Sequence, residues 1–466
     1  MSIPVHSSQA ILHRDLQIDS FLKRIQGSQE FFASSQEDHL GHLEQHLNAD
    51  FKELRRQLLQ DAAQQKADQC PNLCPVCQQR LKRCRPRSRT FPTGAGDIKI
   101  DRASGWCKKC QAWFCPADHL LGLEAGSSPY VQEAAALLAS KMPEAEAAQV
   151  LQQLTGIELA EATLKRTVHK TSQQATGLRD QLDEKAGSGI GLPPPDPRKT
   201  PVTMCIQIDA FNIRGRDHWG ESEEMRKAGK DFTRWHWVWT GTVFTLDQRT
   251  KAGERPIIVE RGYVATRQGI DGLRGQLHAE AMRHGLTQAP RVVIVADGAV
   301  WIWNLSKDRF PQAVERLDIF HALGHLREAA GLLYEDPEEA NRWREKMEKL
   351  LKEGECPQVI GSMEEVLEHL DPGRKPVVQD RLNREVAYFK EHQDRMDYGD
   401  ATARNEPLGS GAIESTCRQY QCRFKMTGQY WSDEGVEGLF SIQNFWRNDR
   451  WNQLFPRSSR CNPSLN

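Results

Sequence analysis

Hydrophobic and polar residues follow different periods in the two halves of the chain. Within residues 1–66 and 128–186, apolar residues recur at the three- and four-residue spacing of α-helices. Beyond residue 200 the pattern becomes the alternation of a half-buried strand, with polar residues or cysteine between Val202, Met204, Ile206 and Ile208. A run rich in glycine and proline at 187–200 separates the two patterns, and it predicts a linker.

The second half predicts a sheet followed by helices. After the first strand, further strands are expected at 235–247, 256–266, 291–297 and 316–318, with a helix at 268–286. Residues 320–400 are charged and helical in pattern. Three strands, a helix, a strand, a helix and a strand form the element order of an RNase H-like α/β domain. We therefore predict such a domain at 201–450, with a helical insertion at about 320–400 and a tail at 451–466.

The first half predicts two helical regions. Two helices in residues 1–68 either pack on their own protein or associate with a second chain. In residues 121–186, one helix opens at Pro143 and a second begins at about Ala160, with a turn at Gly156 between them. The apolar face comprises Ala147, Val150, Leu151, Leu154, Leu164 and Val168, and the outward positions include Lys165, Arg166, His169 and Lys170. This pair is either a DNA-binding helix-turn-helix or an ordinary αα-hairpin.

Cysteine spacing suggests a metal site between these helical regions. Of twelve cysteines, seven lie within 46 residues, and they include two C-x2-C pairs separated by 29 residues: Cys74 with Cys77, and Cys107 with Cys110. Two such pairs close a tetrahedral site that suits structural Zn²⁺. The separation leaves room for a β-hairpin, so we predict a zinc ribbon at 69–120. Cys70, Cys84 and Cys115 lie nearby and are expected to be non-ligands.

Positive charge is concentrated between the two cysteine pairs. Residues 80–110 hold ten Lys and Arg against two Asp, although the whole chain has a formal net charge of −1. Arg83, Arg85, Arg87 and Arg89 form the densest part of this run. Such a stretch is typical either of a phosphate-binding surface or of a solvated face. We predict that these four arginines contact DNA.

Three carboxylates in the second half of the chain occupy positions that are typical of a metal-dependent nuclease site. Asp209 ends the first predicted strand, Asp297 ends the buried strand, and Glu414 begins a helix after Gly409-Ser410-Gly411. Each has a structural alternative, as a turn residue or as a charge at a helix start. In an RNase H-like sheet, however, the first and fourth strands are neighbours, so the three would converge. Hard carboxylates of this kind hold the pair of Mg²⁺ ions used in phosphodiester chemistry.

The helix after Glu414 carries Arg418 and Arg423 and is followed by Lys425; these cations are expected to hold the DNA backbone. The tryptophan-rich stretches 235–239 and 301–303 are expected to lie in the core. No apolar run reaches the length of a membrane span, and the first residues lack the pattern of a secretory signal. We expect a cytoplasmic protein associated with the nucleoid.

Taken in order, the motifs match a known family. The chain resembles bacterial insertion-sequence transposases of the DDE class, in particular the Kra-type group, which is similar in plan to the Mutator-like transposases. The matching segments cover about residues 70–450, and the most specific are Ala296-Asp297-Gly298-Ala299-Val300-Trp301-Ile302 and Leu408-Gly409-Ser410-Gly411-Ala412-Ile413-Glu414-Ser415. The resemblance implies that Asp209, Asp297 and Glu414 are the catalytic triad. It also implies that Asp318 and His321 form the family's D-x2-H element, although a structural role for His321 fits equally well.

The sequence and the resemblance together predict a multidomain α+β DNA transposase. It would bind transposon ends and cleave and join double-stranded DNA, with two Mg²⁺ for catalysis and Zn²⁺ in the ribbon. Because two ends must be held together, we expect a homodimer or a larger assembly. The alternatives are an RNase H-like nuclease or resolvase that does not join DNA, and a DNA-binding regulator derived from a transposase.

Overall fold

The computed structural model describes residues 5–35, 39–192, 203–216, 220–230, 233–246, 257–368 and 376–456. The chain divides into two compact units, Met1–Thr171 and Ser172–Asn466. This division falls inside a helix, ahead of the predicted linker, whose residues 193–200 lie outside the described part. The fold is α+β, as the sequence predicts.

The first unit combines helices with a small antiparallel sheet in the order β1-β2-β3. Its elements are α1 (Val5–Ser34), α2 (Leu40–Asp68), β1 (Lys82–Thr93), β2 (Gly96–Cys107), β3 (Ala112–Phe114), α3 (Pro116–Leu120), α4 (Pro129–Lys141), α5 (Glu144–Thr155) and α6 (Glu161–Gly187), the last of which continues into the second unit. The end of α2 packs on the hairpin, where Ala67 joins Phe91, Ile98 and Ile100 in one core. The two predicted N-terminal helices and the predicted β-hairpin are therefore present.

The predicted helix pair corresponds to α5 and α6. Gly156 ends α5 in the left-handed conformation, at φ 64°, which glycine adopts without strain. Ala147 and Leu151 are buried on the inner face of α5, and Leu164 is buried on α6. Leu154, which the pattern predicts on the same face, is 78% exposed, so the prediction is wrong there.

The second unit contains a five-stranded mixed sheet in the order β6-β5-β4-β7-β8. Its elements are β4 (Met204–Arg216), α7 (Ser222–Lys227), β5 (Thr233–Leu246), β6 (Ile258–Thr266), α8 (Gly269–Arg283), β7 (Val292–Ala296), α9 (Val300–Arg309), β8 (Val314–Leu317), α10 (Ile319–Leu333), α11 (Pro337–Lys352), α12 (Cys356–Glu368), α13 (Pro376–His392), α14 (Tyr398–Ala403), α15 (Gly411–Phe424), α16 (Asp433–Arg447) and α17 (Trp451–Leu454). Strands β4, β5 and β6 are antiparallel, and β7 and β8 run parallel to β4. The helices α10 to α14 occupy the place of the predicted insertion.

Alternation along β4 explains why helices cover both faces of this sheet. Met204, Ile206 and Ile208 share a core with Leu273 and Leu277 of α8. The residues between them turn to the other face, where Cys205 and the β7 residues Val293 and Val295 pack near Ala412 of α15. Asp209 belongs to the α15 face because it lies two residues beyond Gln207 on the same strand.

One strand is longer than predicted. Asp209 does not end β4, because the strand continues to Arg216 through pairing with β5. Only the parallel pairing with β7 stops before Asp209, at Gln207 opposite Val295. Alternation continues through the extension, where Phe211 and Ile213 are buried and Arg214 is exposed.

Candidate functional site

Two aspartates lie at matching positions on neighbouring parallel strands. The β4–β7 register pairs Gln207 with Val295, and Asp209 and Asp297 each follow two residues later. Both side chains therefore lie at the carboxyl edge of the sheet and on the face that α15 covers. Asp209 accepts a hydrogen bond from the backbone N–H of Ala210 at 2.7 Å, and Asp297 accepts one from the backbone N–H of Ala299 at 3.0 Å.

A third aspartate follows the next strand. Leu317 of β8 pairs with Ala296 of β7, and the backbone N–H of Asp318 donates to the carbonyl of Ala296 at 2.7 Å. The Asp318 side chain caps α10 by accepting a hydrogen bond from the backbone N–H of Phe320 at 2.7 Å. Asp297 and Asp318 thus follow β7 and β8, and Asp209 lies within the adjacent parallel strand β4, just beyond its pairing with β7.

Gln207 fixes the start of α15, and with it Glu414. Its side-chain amide donates to the carbonyl of Gly409 at 3.0 Å, and its Oε1 accepts from the backbone N–H of Ile413 at 2.9 Å. Gln207 is only 1% exposed, so both hydrogen bonds form away from water. Because Gln207 lies two residues before Asp209 on the same face, it brings the first turn of α15 to the aspartates.

Ser410 links Asp318 to Glu414. Its backbone N–H donates to Asp318 Oδ2 at 3.0 Å, its hydroxyl also bonds to that oxygen, and the hydroxyl lies 3.2 Å from Glu414 Oε1. Burial alone would raise the pKa of the Asp318 carboxyl, but the nearby His321 ring and the hydrogen bonds from Ser410 and the backbone of Phe320 together hold it below its usual range. Asp318 is therefore a fixed negative charge beneath the site.

Gly409 has a clear steric reason to be glycine. A Cβ at this position would lie 2.8 Å from the ring of Phe320 and 3.4 Å from Asp318 Oδ1. Any larger residue would push the Ser410 segment away from Asp318. The Gly409-Ser410-Gly411 stretch therefore serves close packing at the start of α15 as well as the polar contacts of Ser410.

The electrostatics of Asp209 show that the acidic groups influence one another. Burial raises the pKa of the Asp209 carboxyl, and the charges of Asp297 and Glu414 raise it further, against the hydrogen bonds from Ala210 and the Cys417 thiol. A site in which carboxylates repel one another is one that a bound cation would stabilise.

His321 lies on the open side of the same site. Its Nδ1 is 3.8 Å from Asp318 Oδ2, and its side chain is half exposed. The nearby Asp318 carboxylate raises the pKa of the His321 imidazole, and the charges of Asp297 and Asp209 add to the effect. His321, Phe320 and Glu414 line a cavity of about 550 Å³ that also touches Arg381 and Arg384 of α13.

The four predicted cysteine ligands form one cluster. The Sγ atoms of Cys74, Cys77, Cys107 and Cys110 all lie within 4.8 Å of one another and could hold a metal ion such as zinc. The backbone N–H of Cys110 donates to Cys107 Sγ at 3.4 Å, and this bond lowers the pKa of the Cys107 thiol to about 7. Cys70, Cys84 and Cys115 are not part of the cluster.

The two cysteine turns have the same local geometry. The residue after each pair, Gln78 or Gln111, has a positive φ of 60° or 51°, which turns the backbone back over the sulfur atoms. Cys107 ends β2 and pairs with Ala112 of β3, so the second turn is part of the small sheet.

Among the described residues, this cysteine cluster is the one group of three or more potential ligands that lie within 4.8 Å of one another. Asp209, Asp297 and Glu414 are therefore not packed that closely. The structure contains the predicted aspartates and glutamate on one side of one sheet.

The predicted DNA-contacting residues differ in their exposure. Arg83, Arg85, Arg87 and Arg89 are exposed on β1, and so are Arg418 and Lys425 at α15. Lys165, Arg166 and Lys170 are exposed on α6, although Lys165 forms an ion pair with Glu161 at 2.6 Å and Lys170 donates to the carbonyl of Glu124 at 3.1 Å.

Arg423 is a correction to the predicted DNA surface. It is only 3% exposed, stacks over the ring of Trp431 at 4.9 Å, and donates to Gln429 Oε1 at 3.1 Å. The helical period places it on the inner side of α15, so its role is in packing.

Comparisons with protein-family models and with curated proteins yield no match to the chain. Among the described helices, none is both long enough and apolar enough to cross a membrane.

Proposed function

We propose that the chain is a DDE-class DNA transposase whose second unit is an RNase H-like catalytic domain. The observation that carries the proposal is the matched position of Asp209 and Asp297 beyond one paired register, with Glu414 held nearby through Gln207. The strand order β6-β5-β4-β7-β8, with three antiparallel strands followed by two parallel ones, supports the fold assignment. The placement of all three acidic groups on one face is what a phosphodiester-processing site requires.

The donor set fits divalent magnesium. Carboxylate oxygens are the ligands that Mg²⁺ prefers, and burial together with the charges of Asp297 and Glu414 raises the pKa of Asp209, an effect that bound cations would oppose. Asp209, Asp297 and Glu414 would hold the ions. Two such ions, when bound, activate the attacking oxygen and stabilise the leaving oxygen of a phosphodiester.

The other residues of the site position these groups. Gln207 and Ser410 fix the first turn of α15 against the strand ends, so that Glu414 faces the aspartates. Asp318 keeps the His321 imidazole protonated to higher pH than usual, because it raises the pKa of that ring, and this gives a cation beside the place where a phosphate would lie. Water, and then a 3′-hydroxyl of DNA, would be the two attacking groups.

The first unit is proposed to recognise transposon-end DNA. The cysteine cluster would hold Zn²⁺ and fix the β1–β2 hairpin, from which Arg83, Arg85, Arg87 and Arg89 project into solvent. The exposed basic residues of α6 fit the same role, as in a helix-turn-helix. Double-stranded DNA is the expected partner, in a homodimer or larger assembly that holds two ends, in the bacterial cytoplasm with the nucleoid.

A strand-transfer assay separates the proposal from its alternatives. The full chain is incubated with Mg²⁺, a plasmid target and duplexes that end in a 3′-hydroxyl, taken from the DNA flanking its coding sequence. A transposase forms a new bond between the donor 3′-oxygen and a target phosphorus while the target strand breaks. Cleavage without joined product would indicate a nuclease or resolvase, and binding without cleavage would indicate a regulator.

A further inference from the structure

The β4–β5 hairpin extends beyond the sheet as a two-stranded arm. Strand β4 pairs with β7 only as far as Gln207, and β5 pairs with β6 only from Trp239 onward. The pairing between β4 and β5 continues past both limits to Arg216 opposite Thr233. Beyond these limits, the named strands of the sheet no longer pair with either edge of the arm, although the backbone of Trp431 hydrogen-bonds to β4 at Arg214 and Arg216.

One face of the arm is buried and the other carries exposed indoles. Phe211, Ile213 and Val238 are at most 5% exposed on the inner face. On the outer face, Trp235 is 55% and Trp237 51% exposed. The expectation that both tryptophans belong to the core is therefore wrong, because the arm leaves the sheet before it reaches them.

Cations accompany these exposed indoles. Arg214, directly opposite Trp235 in the β4–β5 register, lies over its ring at 5.2 Å, and Lys425 reaches the same ring at 5.6 Å from the end of α15. Within the described part of the chain, neither cation forms an ion pair with a carboxylate. By contrast, Arg267 behind the arm is bound to Asp433 at 2.6 Å.

The arm is connected to the acidic site by two elements of similar length. From Asp209 to Arg214 the strand rises about 16 Å, and from Glu414 to Lys425 the helix rises about 16 Å. The exposed Arg418 lies between the ends of the second path. Because Asp209 and Arg214 are an odd number of residues apart on β4, their side chains lie on opposite faces of the strand, so the outer face of the arm is separate from the acidic site.

We propose that the outer face of the arm, formed by Trp235, Trp237 and Arg214, binds an unpaired DNA strand together with Lys425 at the end of α15. The proposal rests on the proposed function. Half-exposed indoles present flat surfaces on which unpaired bases stack, and the cations beside them match the phosphates between those bases. A paired duplex offers its bases only at the ends, so the aromatic surface favours a single strand.

Direct binding measurements test this role without requiring catalysis. The full chain is titrated, without added divalent ions, into a fluorescein-labelled oligodeoxythymidine of about 16 nucleotides, and separately into a duplex of the same length. Trp235→Leu and Trp237→Leu should each weaken oligodeoxythymidine binding about tenfold, whereas Trp235→Phe, which keeps an aromatic ring, should retain most of the affinity. Arg214→Gln should lower the salt dependence of binding.

Trp446→Leu is the matched control, because that indole is 42% exposed but lies on α16, outside the arm. Unchanged oligodeoxythymidine affinity in both leucine variants would overturn the proposal. Equal losses for the single strand and the duplex would also overturn it, since they would indicate a general phosphate-binding surface. If these binding results hold but Mg²⁺-dependent cleavage is absent, the arm proposal survives and the transposase proposal fails.

Discussion

The side chain of Gln207 accepts a hydrogen bond from the backbone N–H of Ile413, the residue before Glu414, at 2.9 Å. A buried strand residue thus sets the position of a helix that begins about two hundred residues later in the chain. Since Gln207 shares its strand and its face with Asp209, the distance between the two halves of the acidic site depends on this contact. Gln207 is accordingly a positioning residue for Glu414.

Gln207→Leu should therefore impair activity beyond its effect on stability. The substitution keeps the size of the side chain but leaves the carbonyl of Gly409 and the N–H of Ile413 without this partner, at a cost of about 1–3 kcal/mol each. Thermal unfolding and Mg²⁺-dependent cleavage are measured on the same preparation. Gln276→Leu, at a buried glutamine of α8, is the control and should lower stability with little loss of activity. Equal activity losses in the two variants would contradict a positioning role.

The cysteine cluster predicts one bound zinc ion per chain. Cys107→Ser should release the metal and loosen the two cysteine turns, where Leu81 and Phe114 are the other residues of the cysteine core. Elemental analysis and limited proteolysis provide the measurements. Cys84→Ser is the control, since Cys84 is exposed and outside the cluster, and it should retain the metal. Purified wild-type protein without zinc would exclude the structural zinc site.

The arginines of β1 predict a salt-dependent DNA contact. Arg85, Arg87 and Arg89 alternate along the strand and so share one face, while Arg83 lies at the irregular start of the hairpin with φ 52°. Replacing all four with Gln should lower the slope of log affinity against log salt by roughly 0.9 for each phosphate that the protein no longer neutralises. The slope is measured with duplex DNA, and Lys349→Gln in α11 is the exposed control. An unchanged slope would mean that these arginines are only solvated.

The sequence predicts much of the element order because periodicity is a local property. The run from Val292 to Ala296 is continuously apolar and forms a fully buried strand, as its pattern indicates. The two cysteine pairs also form the predicted cluster, since the spacing within each pair is set by one turn. By contrast, the exposed arm is not predicted, because Trp235 and Trp237 look like core residues until the limits of strand pairing are known.

The contacts that assemble the acidic site could not be predicted in the same way. Gln207 and Ser410 act across long separations in sequence, and nothing in their immediate neighbours indicates those partners. The sequence does contain one indication of such partners. Gln207 lies between Ile206 and Ile208 in a strand, and an amide that is buried there needs hydrogen-bond partners. The transposase function itself stays a prediction that the assays above address.

The raised pKa of His321 predicts the direction in which the cleavage rate changes with pH. Its pKa is raised by Asp318, so the imidazolium persists to higher pH than in an ordinary histidine and disappears only as pH rises through that raised value. If this cation assists the phosphate chemistry, the cleavage rate should fall along an alkaline limb that His321→Gln removes. His119→Gln, at an exposed histidine of α3, should leave the profile unchanged. If His321→Gln binds DNA normally but cleaves it more slowly, the result supports a catalytic role for His321. If the variant does not fold, the result supports a structural role.

The acidic residues carry the strongest functional prediction. Asp209→Asn, Asp297→Asn and Glu414→Gln keep the size of each side chain but remove the negative charge that divalent ions require. Each should reduce both strand cleavage and strand transfer by on the order of a thousandfold or more. Wild-type activity should persist with Mn²⁺ in place of Mg²⁺, whereas Ca²⁺ should permit DNA binding with little chemistry. Near-normal cleavage by Glu414→Gln would remove Glu414 from the site.

Two other carboxylates, Glu406 and Asp308, differ in how much the fold depends on them. Glu406 looks like a neutral choice in sequence, but it is 4% exposed and binds both Arg291 and Arg316, so Glu406→Gln should destabilise the fold. Asp308 is half exposed on α9, and Asp308→Asn should leave stability and activity nearly unchanged.

Asp209→Asn should also affect thermal stability differently from the same substitution at an aspartate that stabilises the fold. Because burial and the charges of Asp297 and Glu414 raise the pKa of Asp209, the folded protein holds that proton more tightly than the unfolded chain does. Ionisation of Asp209 therefore costs stability as pH rises through the ordinary aspartate range and up to the raised value. Without divalent ions at neutral pH, Asp209→Asn should unfold at the same temperature as wild type or higher, while its cleavage activity is abolished. Thermal unfolding without added ions measures this directly. A clearly lower unfolding temperature would show that the Asp209 carboxylate supports the fold, and its assignment as a metal-binding group would then lose its electrostatic basis.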